Sequence, residues 1–408
     1  MATVVQINKF TNFKFLLIPF IHDPGNEEEL EQKCLIGVRY ATGFTKVHGG
    51  LSEFVFVKEE ADYATMRDRA RTVLRLLNYV LDNNLKYQLS SLCDLDIWHG
   101  TDYLNWLTSK KVTQKYWYKE EEIINKFYYF LANRKLLNKF KLSDFTYIKI
   151  GNHRKKVLKS LFTNARRPKK RGANPLLLKN IDKELLETFF NVALRYTPRI
   201  ALGVYFQVFG GFRRSEAVAA NRAGISYIGS FGARGMIVQI SDHIYRPDLR
   251  NVAGSGVKVP RQQKVEPVGG GLLPYLYETH LKKYATTDGT NALFALKNGK
   301  AMTPAMYSYY FKKFKHAFIK ILKTSKNTQW NEYGIMLDSR KWDTHIGRGI
   351  FSNLKAEILQ NSLMLMIDRG DTNRRSAQVY IQSTPQKVKE RTGALDDMYM
   401  DKSFFREE

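Results

Sequence analysis

Three segments in the second half of the chain carry side chains that could act together on a phosphate. A glycine turn at Gly211 precedes Arg213, and the residues that follow favour a helix. The N–H groups at the start of a helix and a guanidinium both attract an anion, so this segment could hold a phosphate. His345 and Arg348 are three residues apart, which places them on one face of a helix where they could contact one phosphodiester. Tyr380 follows later and carries a hydroxyl that could act as a nucleophile.

Each of these side chains also has a purely structural interpretation. Arg213 could pair with Glu216 on the same helical face, and His345 could cap a helix. Tyr380 is one of 23 tyrosines and could belong to the core. The order of the residues along the chain therefore carries more information than any single residue.

Taken in order, these segments resemble the tyrosine recombinase (phage integrase) family. The catalytic domain of that family contains an arginine, a lysine, a histidine-x-x-arginine motif, a further histidine or similar residue, and a tyrosine. The family's arginine motif is approximately Gly-Leu-Arg-x-Ser-Glu, and this chain has the same pattern around Arg213, with phenylalanine in place of leucine. The resemblance implies that Arg213 is the first arginine and that His345 and Arg348 form the histidine-x-x-arginine motif. It also implies that Tyr380 is the tyrosine.

The lysine of the family lies on a β-hairpin, a few residues before a Val-Pro element. In this sequence Lys258 directly precedes a Val-Pro pair and is the best match, and Lys264 is the alternative. Tyr380 lies 32 residues after Arg348, a spacing similar to that of the family. The resemblance extends over about residues 61–385.

The resemblance implies cleavage of a DNA phosphodiester without metal or ATP, so no cofactor is expected. Arg213 and Arg348 would bind the nonbridging oxygens of the phosphate and fix the geometry of in-line attack. Tyr380 would attack the phosphorus, while His345 would take or orient the phenolic proton. Lys258 would protonate the leaving 5′ oxygen. The product would be a 3′-phosphotyrosyl bond, which keeps the energy of the broken linkage and permits rejoining to a different 5′ hydroxyl.

One position departs from the family pattern. The family usually has Leu-Gly-His nine residues before the tyrosine, and this chain has Arg369-Gly370-Asp371 there. Asp371 therefore places a carboxylate where a phosphate donor normally lies, and like charges at short distance repel each other. Arg369, Arg374 or Arg375 could neutralise this carboxylate, or Asp371 could cap the next helix. The sequence leaves these alternatives open, and with them the catalytic activity.

The composition is that of a folded and strongly basic chain. It has 408 residues and a mass of 47.3 kDa, with 44% apolar and 25% charged residues, which predicts two or three domains with buried cores. The net charge of +26 indicates a polyphosphate partner, and nucleic acid is the first candidate. Cys34 and Cys93 form no pair at metal-ligand spacing, so the sequence excludes a disulfide scaffold and a cysteine zinc site.

No apolar run in the sequence approaches the length of a bilayer span, and the N-terminus lacks the pattern of a secretory leader. We therefore expect a soluble protein without a membrane partner. Its expected location is the cytoplasm of a bacterial cell or of a phage-infected host.

The pattern along the chain predicts a mainly α protein with small β-sheets, which is an α+β fold class. Residues 1–60 contain β-type runs and are expected to form a small N-terminal appendage, whereas 61–150 have the apolar spacing of a helical DNA-binding domain. A basic linker over 151–175 leads to the catalytic domain over 176–385, and 386–408 form a C-terminal tail. The resemblance implies this order, and it implies that the helical core-binding domain and the catalytic domain form a clamp around DNA.

Local patterns predict individual elements within these domains. The β-type runs of the first segment are Phe13–Ile18, Leu35–Tyr40 and Phe54–Val57. The acidic residues at 120–122 suit the N-terminus of a helix. Further helices are predicted over about 182–195 and 345–367.

The basic linker contains nine Lys and Arg residues between 152 and 171 and no acidic residue. A solvated charge run is the simplest interpretation, but this run separates two basic domains, and we therefore predict that it lies along DNA phosphates. The predicted DNA-binding residues are Arg154, Lys155, Lys156, Lys159, Arg166, Arg167, Lys169, Lys170 and Arg171. Phosphate contacts of this kind make the affinity for DNA fall steeply as salt is added.

These observations favour a site-specific recombinase or integrase of a phage or mobile element. It would act on double-stranded DNA as a homotetramer on paired sites, with accessory DNA-bending or directionality proteins as candidate partners. The tail at 386–408 carries aromatic residues among acidic ones and is expected to contact a neighbouring subunit.

Three alternatives remain at this point. The main one is a DNA-binding regulator, similar to a phage repressor, that keeps the fold and lacks the chemistry, as Asp371 would suggest. A type IB topoisomerase would relax supercoils as a monomer on any sequence. An RNA-binding protein would display aromatic and basic residues on an exposed sheet, whereas many aromatic residues here follow helical apolar stripes.

Overall fold

The computed structural model describes residues 13–25, 30–56, 62–150, 155–169, 178–251, 256–359, 361–371 and 377–378. The chain divides into two compact units, Met1–Asn174 and Pro175–Glu408, and each unit has its own hydrophobic core. The prediction of a mainly α fold with small β-sheets is confirmed. The predicted tail at 386–408 lies outside the described residues.

The first unit combines a small sheet with a helical layer. Its first three strands are antiparallel in the order β1-β2-β3, and β4 pairs with β5 in a separate hairpin. The elements are β1 (Phe13–His22), β2 (Glu31–Tyr40), β3 (Thr45–Val47), α1 (Gly49–Phe56), α2 (Tyr63–Asp82), α3 (Asn84–Tyr87), α4 (Ile97–Ser109), α5 (Gln114–Asn133), β4 (Tyr147–Ile150) and β5 (Lys155–Leu158).

The strands of the first unit share one core with its helices. Phe15 on β1 and Ile36 on β2 are buried in the same cluster as the apolar face of α2. The backbone of Phe15 also exchanges two hydrogen bonds with the side chain of Asn78 on α2, both of 2.9 Å. The β-type runs predicted within 1–60 therefore pack directly on the helices predicted for 61–150.

The prediction of a β-type run at Phe54–Val57 is wrong, because Phe54 and its neighbours form helix α1. Leu51, Phe54 and Val55 are all buried, and their spacing places them on one face of a helix. The helical spacing of the apolar residues thus outweighs the β-propensity of phenylalanine and valine.

The acidic run at 120–122 does not begin a helix, so that prediction is also wrong. Helix α5 begins earlier, after Thr113, whose side chain caps it. Glu120 is buried in the middle of α5, where it accepts hydrogen bonds from Tyr103 at 2.9 Å and from Arg75. A buried carboxylate needs such partners, and here they come from two other helices.

The second unit is a helical assembly with a three-stranded antiparallel sheet of order β6-β7-β8. Its elements are α6 (Leu186–Tyr196), α7 (Pro198–Phe209), α8 (Arg214–Ala219), β6 (Ile225–Tyr227), β7 (Met236–Ile240), β8 (Arg261–Val265), α9 (Leu272–Tyr284), α10 (Pro304–Lys323), α11 (Thr328–Ser339), α12 (His345–Leu359) and α13 (Ser362–Asp368).

Helix α7 lies at the centre of the second unit. Every residue from Ile200 to Phe209 is buried, as expected for a helix that is apolar on all sides. Helices α6, α9 and α12 pack around it. The helix predicted over 182–195 is present as α6, preceded by a single helical turn that Asp182 caps, and the helical region predicted over 345–367 consists of the two helices α12 and α13. Within the described residues, no helix combines the length and the apolar character that crossing a bilayer demands.

Candidate active site

Arg213 lies immediately before helix α8, in the turn that leaves the central helix α7. Its backbone N–H donates to Oε2 of Glu216 at 2.7 Å, and its Nη1 donates to Oε1 of the same carboxylate at 2.6 Å. Both the backbone and the guanidinium of Arg213 are therefore fixed by one acidic side chain. The pairing considered from the sequence, Arg213 with Glu216, is present, and it leaves Nη2 of Arg213 for a second partner.

The glycine before this arginine is required by the geometry of the turn. Gly211 has a φ of +68°, a conformation that side chains with a Cβ rarely adopt. A Cβ at this position would also lie 2.7 Å from the ring of Phe351 on α12. The turn can therefore approach α12 closely enough for a contact between its backbone and that helix.

Arg348 on α12 makes that contact. Its Nη1 donates to the carbonyl oxygen of Gly211, and its Nη2 donates to the carbonyl oxygen of Arg369 at 2.8 Å. The side chain is buried, with 6% of its surface exposed. Burial, together with the positive charge of Arg213, lowers the pKa of Arg348 to about 10, although Asp371 acts in the opposite direction.

Asp371 joins the two arginines. Its Oδ1 accepts from Nη2 of Arg213 and from Nη2 of Arg348, each at 2.6 Å. Its Oδ2 lies 2.9 Å from Nε of Arg369. Of the neutralising partners considered from the sequence, Arg369 is thus in place, while Arg374 and Arg375 lie outside the described residues. The two predicted catalytic arginines, Arg213 and Arg348, also neutralise the carboxylate of Asp371.

The second carboxylate of the cluster is Glu216, whose side chain is 1% exposed. Arg261 on β8 forms two hydrogen bonds with it, of 3.0 and 3.1 Å. Burial raises the pKa of this carboxyl, but the hydrogen bonds and charge of Arg261, with those of Arg213, outweigh it and hold the pKa below its ordinary value of 4.5. Glu216 is therefore ionised and positions two arginines at once.

Arg261 was not identified as a site residue from the sequence, and Arg369 was considered only as a neutralising partner of Asp371. The structure places Gln263 and Val265 on the buried face of β8 and Gln262 and Lys264 on the exposed face, but the residue types Arg-Gln-Gln-Lys-Val show no alternation that would reveal this from the sequence. Arg261 shares the inward face of this strand, and an arginine on the inward face of a strand needs a buried acid.

His345 is the first residue of α12, one turn before Arg348, and its side chain is exposed. Its backbone N–H donates to the side chain of Asp343 at 2.8 Å. The start of the helix is held by the buried Gln207 of α7, which donates to the carbonyl oxygen of Thr344 at 3.1 Å. The structure therefore places His345 and Arg348 on one helix near the cluster, with the imidazole facing solvent.

The two candidate lysines have different surroundings. Lys258 is exposed in the segment before β8, and the carbonyl oxygen of the next residue, Val259, lies 3.4 Å from Nη1 of Arg261. Lys264 forms an ion pair of 2.8 Å with Glu266, which Lys355 also contacts. Among the described residues, no carboxylate pairs with Lys258. Its ammonium group, unlike that of Lys264, is available to a substrate.

Several predicted residues lie outside the described part of the chain. Tyr380 is one of them, as are Arg154, Lys170 and Arg171, and the side chains of Lys155 and Lys156 are likewise not described. The predicted DNA-binding residues that are described, Lys159, Arg166, Arg167 and Lys169, are all exposed on the first unit. The segment that carries them is attached to that unit by the buried side chains of Phe162 and Ala165.

The cluster is suited to binding an anion. Four guanidinium groups, those of Arg213, Arg261, Arg348 and Arg369, surround the carboxylates of Glu216 and Asp371, so the cluster carries an excess of positive charge. Guanidinium groups bind phosphate and carboxylate oxygens in the same geometry. Among the described residues, no group of His, Cys, Asp and Glu side chains could hold a metal ion.

The fold has counterparts among solved structures. The XerH site-specific recombinase bound to its difH substrate superposes with a TM-score of 0.51 and 13% identity, over 82% of this chain and 80% of that one. The integrase of transposon Tn1549 in complex with transposon right end DNA gives a TM-score of 0.53 and 14% identity, over 84% and 97% of the two chains. A lambda integrase dimer bound to a core site superposes with a TM-score of 0.50 and 9% identity, over 82% of this chain and 76% of that one.

Sequence comparison adds nothing to this finding, since no protein-family profile and no curated protein matches the chain. At such low identity the likeness establishes the fold alone. The superpositions extend over more than four fifths of the chain, so they include residues of both units.

Proposed function

We propose that this chain, which has the fold of the tyrosine recombinases, is a site-specific DNA recombinase or integrase. It would cut and rejoin DNA strands through a 3′-phosphotyrosyl intermediate. The fold is the one that the resemblance drawn from the sequence implied, and the function is inferred from the site.

The observation that carries the proposal is the convergence of Arg213 and Arg348 on one oxygen atom. Both arginines donate to Oδ1 of Asp371 at 2.6 Å, although they belong to different helical segments. Their guanidinium groups are thus held at the separation needed to share a single anionic oxygen. A nonbridging oxygen of a phosphodiester has the charge and the acceptor geometry for the same site. Two cations on such oxygens stabilise the charge that develops during attack on phosphorus.

The remaining roles follow the order of residues along the chain. Tyr380 would be the nucleophile, and its proton must leave because a free tyrosine has a pKa of about 10. His345 would orient or accept that proton from the start of α12. Lys258 is exposed and has no carboxylate partner within the described part of the chain, and it would protonate the leaving 5′ oxygen.

Double-stranded DNA is the proposed partner. The exposed basic side chains of Lys159, Arg166, Arg167 and Lys169 offer contacts to phosphates, in a chain whose net charge is +26. The assembly of four copies on paired sites, the contact of the tail with a neighbouring subunit and the participation of accessory proteins belong to the same proposal.

A covalent adduct with DNA tests the function. A binding site is first selected from a randomised DNA pool and then nicked, so that the released fragment cannot be rejoined. The wild-type protein should form a protein–DNA adduct that survives denaturation, and Tyr380→Phe should form none. Tyr309→Phe is the matched control, since Tyr309 is an exposed tyrosine of α10 outside the cluster.

The possible results separate the candidate functions. An adduct that Tyr380→Phe abolishes and Tyr309→Phe preserves supports the recombinase. Specific binding of the selected DNA without any adduct would instead support the non-catalytic regulator. Relaxation of supercoiled DNA that lacks the selected site would support a topoisomerase.

A further inference from the structure

We propose that the carboxylate of Asp371 occupies the position of the scissile phosphate in the DNA-free protein, and that the phosphate displaces it when DNA binds. This inference rests on the proposed function only in identifying the incoming anion as a DNA phosphate. The exchange itself is a property of the arginine cluster.

The contacts of Arg348 show why an exchange is needed. Nη1 of Arg348 donates to the carbonyl oxygen of Gly211, and Nη2 is shared between the carbonyl oxygen of Arg369 and Oδ1 of Asp371. The side chain is only 6% exposed, and both N–H groups of Nη2 are occupied, so Nη2 can bind a phosphate only where one of its acceptors gives way. The two carbonyl oxygens belong to the backbone, whereas the carboxylate can leave by rotation of a side chain.

The contacts of Arg213 show where the phosphate would enter. Its side chain is 31% exposed, far more than the 6% of Arg348, so the cluster is open on the side of Arg213. Its Nη1 is held by Glu216 and its Nη2 by Asp371. A phosphate that arrives from solvent therefore meets Arg213 first and competes with Asp371 for the same Nη2.

The carboxylate of Asp371 and a phosphate cannot occupy the same two arginine donors at once. Oδ1 of Asp371 lies 2.6 Å from both donors, and a phosphate oxygen bound to the same donors would be in contact with it. Two anions at that distance repel each other strongly in a partly buried site. Arg369 offers the displaced carboxylate a counter-charge, because its Nε already lies 2.9 Å from Oδ2. Asp371 can thus release Arg213 and Arg348 without becoming an unpaired buried charge.

A different interpretation makes the opposite prediction. If Asp371 were a permanent support that aligns the two arginines, its removal would leave them misplaced and repelling each other, and phosphate would bind more weakly. If Asp371 competes with phosphate, its removal frees two donors and phosphate binds more tightly. The sign of the change therefore decides between the two.

The test measures the binding of inorganic phosphate to the full chain by isothermal titration calorimetry. Asp371→Asn removes the charge and keeps the size of the side chain, and it should tighten phosphate binding by about tenfold or more, the scale expected for freeing a charge-assisted hydrogen bond. Asp371→Glu keeps a carboxylate and should bind phosphate within about threefold of the wild type. Asp368→Asn is the matched control, because Asp368 pairs with Lys355 outside the arginine cluster and should leave phosphate affinity unchanged.

An unchanged or weakened affinity in folded Asp371→Asn would overturn the proposal. If that variant does not fold, the wild-type protein provides the test through a crystal structure determined with bound phosphate. Phosphate between Arg213 and Arg348, with Asp371 turned towards Arg369, supports the exchange. Asp371 still bridging the two arginines at saturating phosphate contradicts it.

The adduct assay separates this inference from the proposed function. Asp371→Asn should form the covalent adduct about tenfold faster than the wild type, since the arginines no longer have to be released. If phosphate binding tightens in Asp371→Asn but no variant forms an adduct, the exchange stands and the recombinase function fails. If the wild type forms an adduct but Asp371→Asn changes neither phosphate affinity nor rate, the function stands and the exchange fails.

Discussion

Arg348 donates a hydrogen bond to the backbone carbonyl of Gly211, so the buried arginine of α12 is anchored to the turn that carries Arg213. Arg348 is therefore positioned by the backbone next to Arg213, and Asp371 contacts both arginines. Any change that shifts this turn should alter both arginines together.

Glu216→Gln should destabilise the second unit by about 3 kcal/mol, because it leaves the charges of Arg213 and Arg261 without their shared buried partner. Urea unfolding measures this change. Glu187→Gln, in the exposed first turn of α6, is the control and should have little effect. Equal stability of Glu216→Gln and the wild type would contradict the assigned role.

The same carboxylate predicts an effect of pH. Because the folded protein holds the pKa of Glu216 below 4.5, its contribution to stability is present above that pH and is lost as the pH falls through the lower, folded-state value. The loss of stability between pH 5 and 3 should therefore be smaller in Glu216→Gln than in the wild type.

His280 on α9 predicts a second pH effect, in a higher range. Burial lowers its pKa from 6.5 to about 4, although the hydrogen bond that Nε2 donates to the carbonyl oxygen of Leu293 acts in the opposite direction. The unfolded chain binds the proton more readily, so the unfolding free energy should fall by about 3 kcal/mol as the pH drops from 6.5 to 4. In His280→Gln this dependence should flatten, whereas the exposed His316→Gln should retain it.

Gln207 should be needed to place the start of α12. It donates to the carbonyl oxygen of Thr344 and accepts from the hydroxyl of the fully buried Tyr307 at 3.0 Å. Gln207→Leu leaves that hydroxyl unpaired and should cost about 2 kcal/mol of unfolding free energy. In a double-mutant cycle with Tyr307→Phe, the two losses should be less than additive; strict additivity would show that the hydrogen bond has no energetic role.

Gly370→Ala should disrupt the cluster by a steric route. Gly370 has a φ of +59°, and a Cβ there would overlap the guanidinium of Arg261. Gly289→Ala is a matched control, since Gly289 has a φ of +80° but no neighbouring atom within 4 Å of the added Cβ. Gly289→Ala should show only the backbone cost of about 1 kcal/mol, and Gly370→Ala should lose more stability. Thermal unfolding measures the loss of stability in both variants, and equal losses would contradict the steric overlap with Arg261.

The sequence allowed the fold class to be predicted, because it depends on local patterns, whereas Arg213 and Arg348 were singled out by the resemblance of their order along the chain to a known family. Apolar periodicity marks the helices, and the glycine before Arg213 marks the turn. The error at Phe54–Val57 arose where β-propensity and helical spacing disagreed, and packing of Leu51, Phe54 and Val55 decided for the helix. Residues with a clear period and a clear cap were thus predictable.

The other contacts of the arginine cluster join segments that are distant in the sequence, so local patterns do not predict them. Arg261 pairs with Glu216 across two elements, and Arg369 meets Asp371 in the turn after α13. The sequence showed that Asp371 conflicts with a phosphate site, but it could not show that Arg213 and Arg348 themselves neutralise this carboxylate. That outcome depends on side-chain positions that no local pattern records.

Identification of the residue that carries the DNA shows whether Tyr380 is the nucleophile. Trypsin should release residues 376–387 as one peptide, and Tyr380 is its only tyrosine. We expect the adduct formed on the nicked site to leave a nucleotide 3′-phosphate on this peptide, and we expect Arg348→Gln to bind the DNA but to yield far less adduct. A nucleotide attached to any other peptide would rule out Tyr380 as the nucleophile, and undiminished adduct in Arg348→Gln would rule out a catalytic role for Arg348.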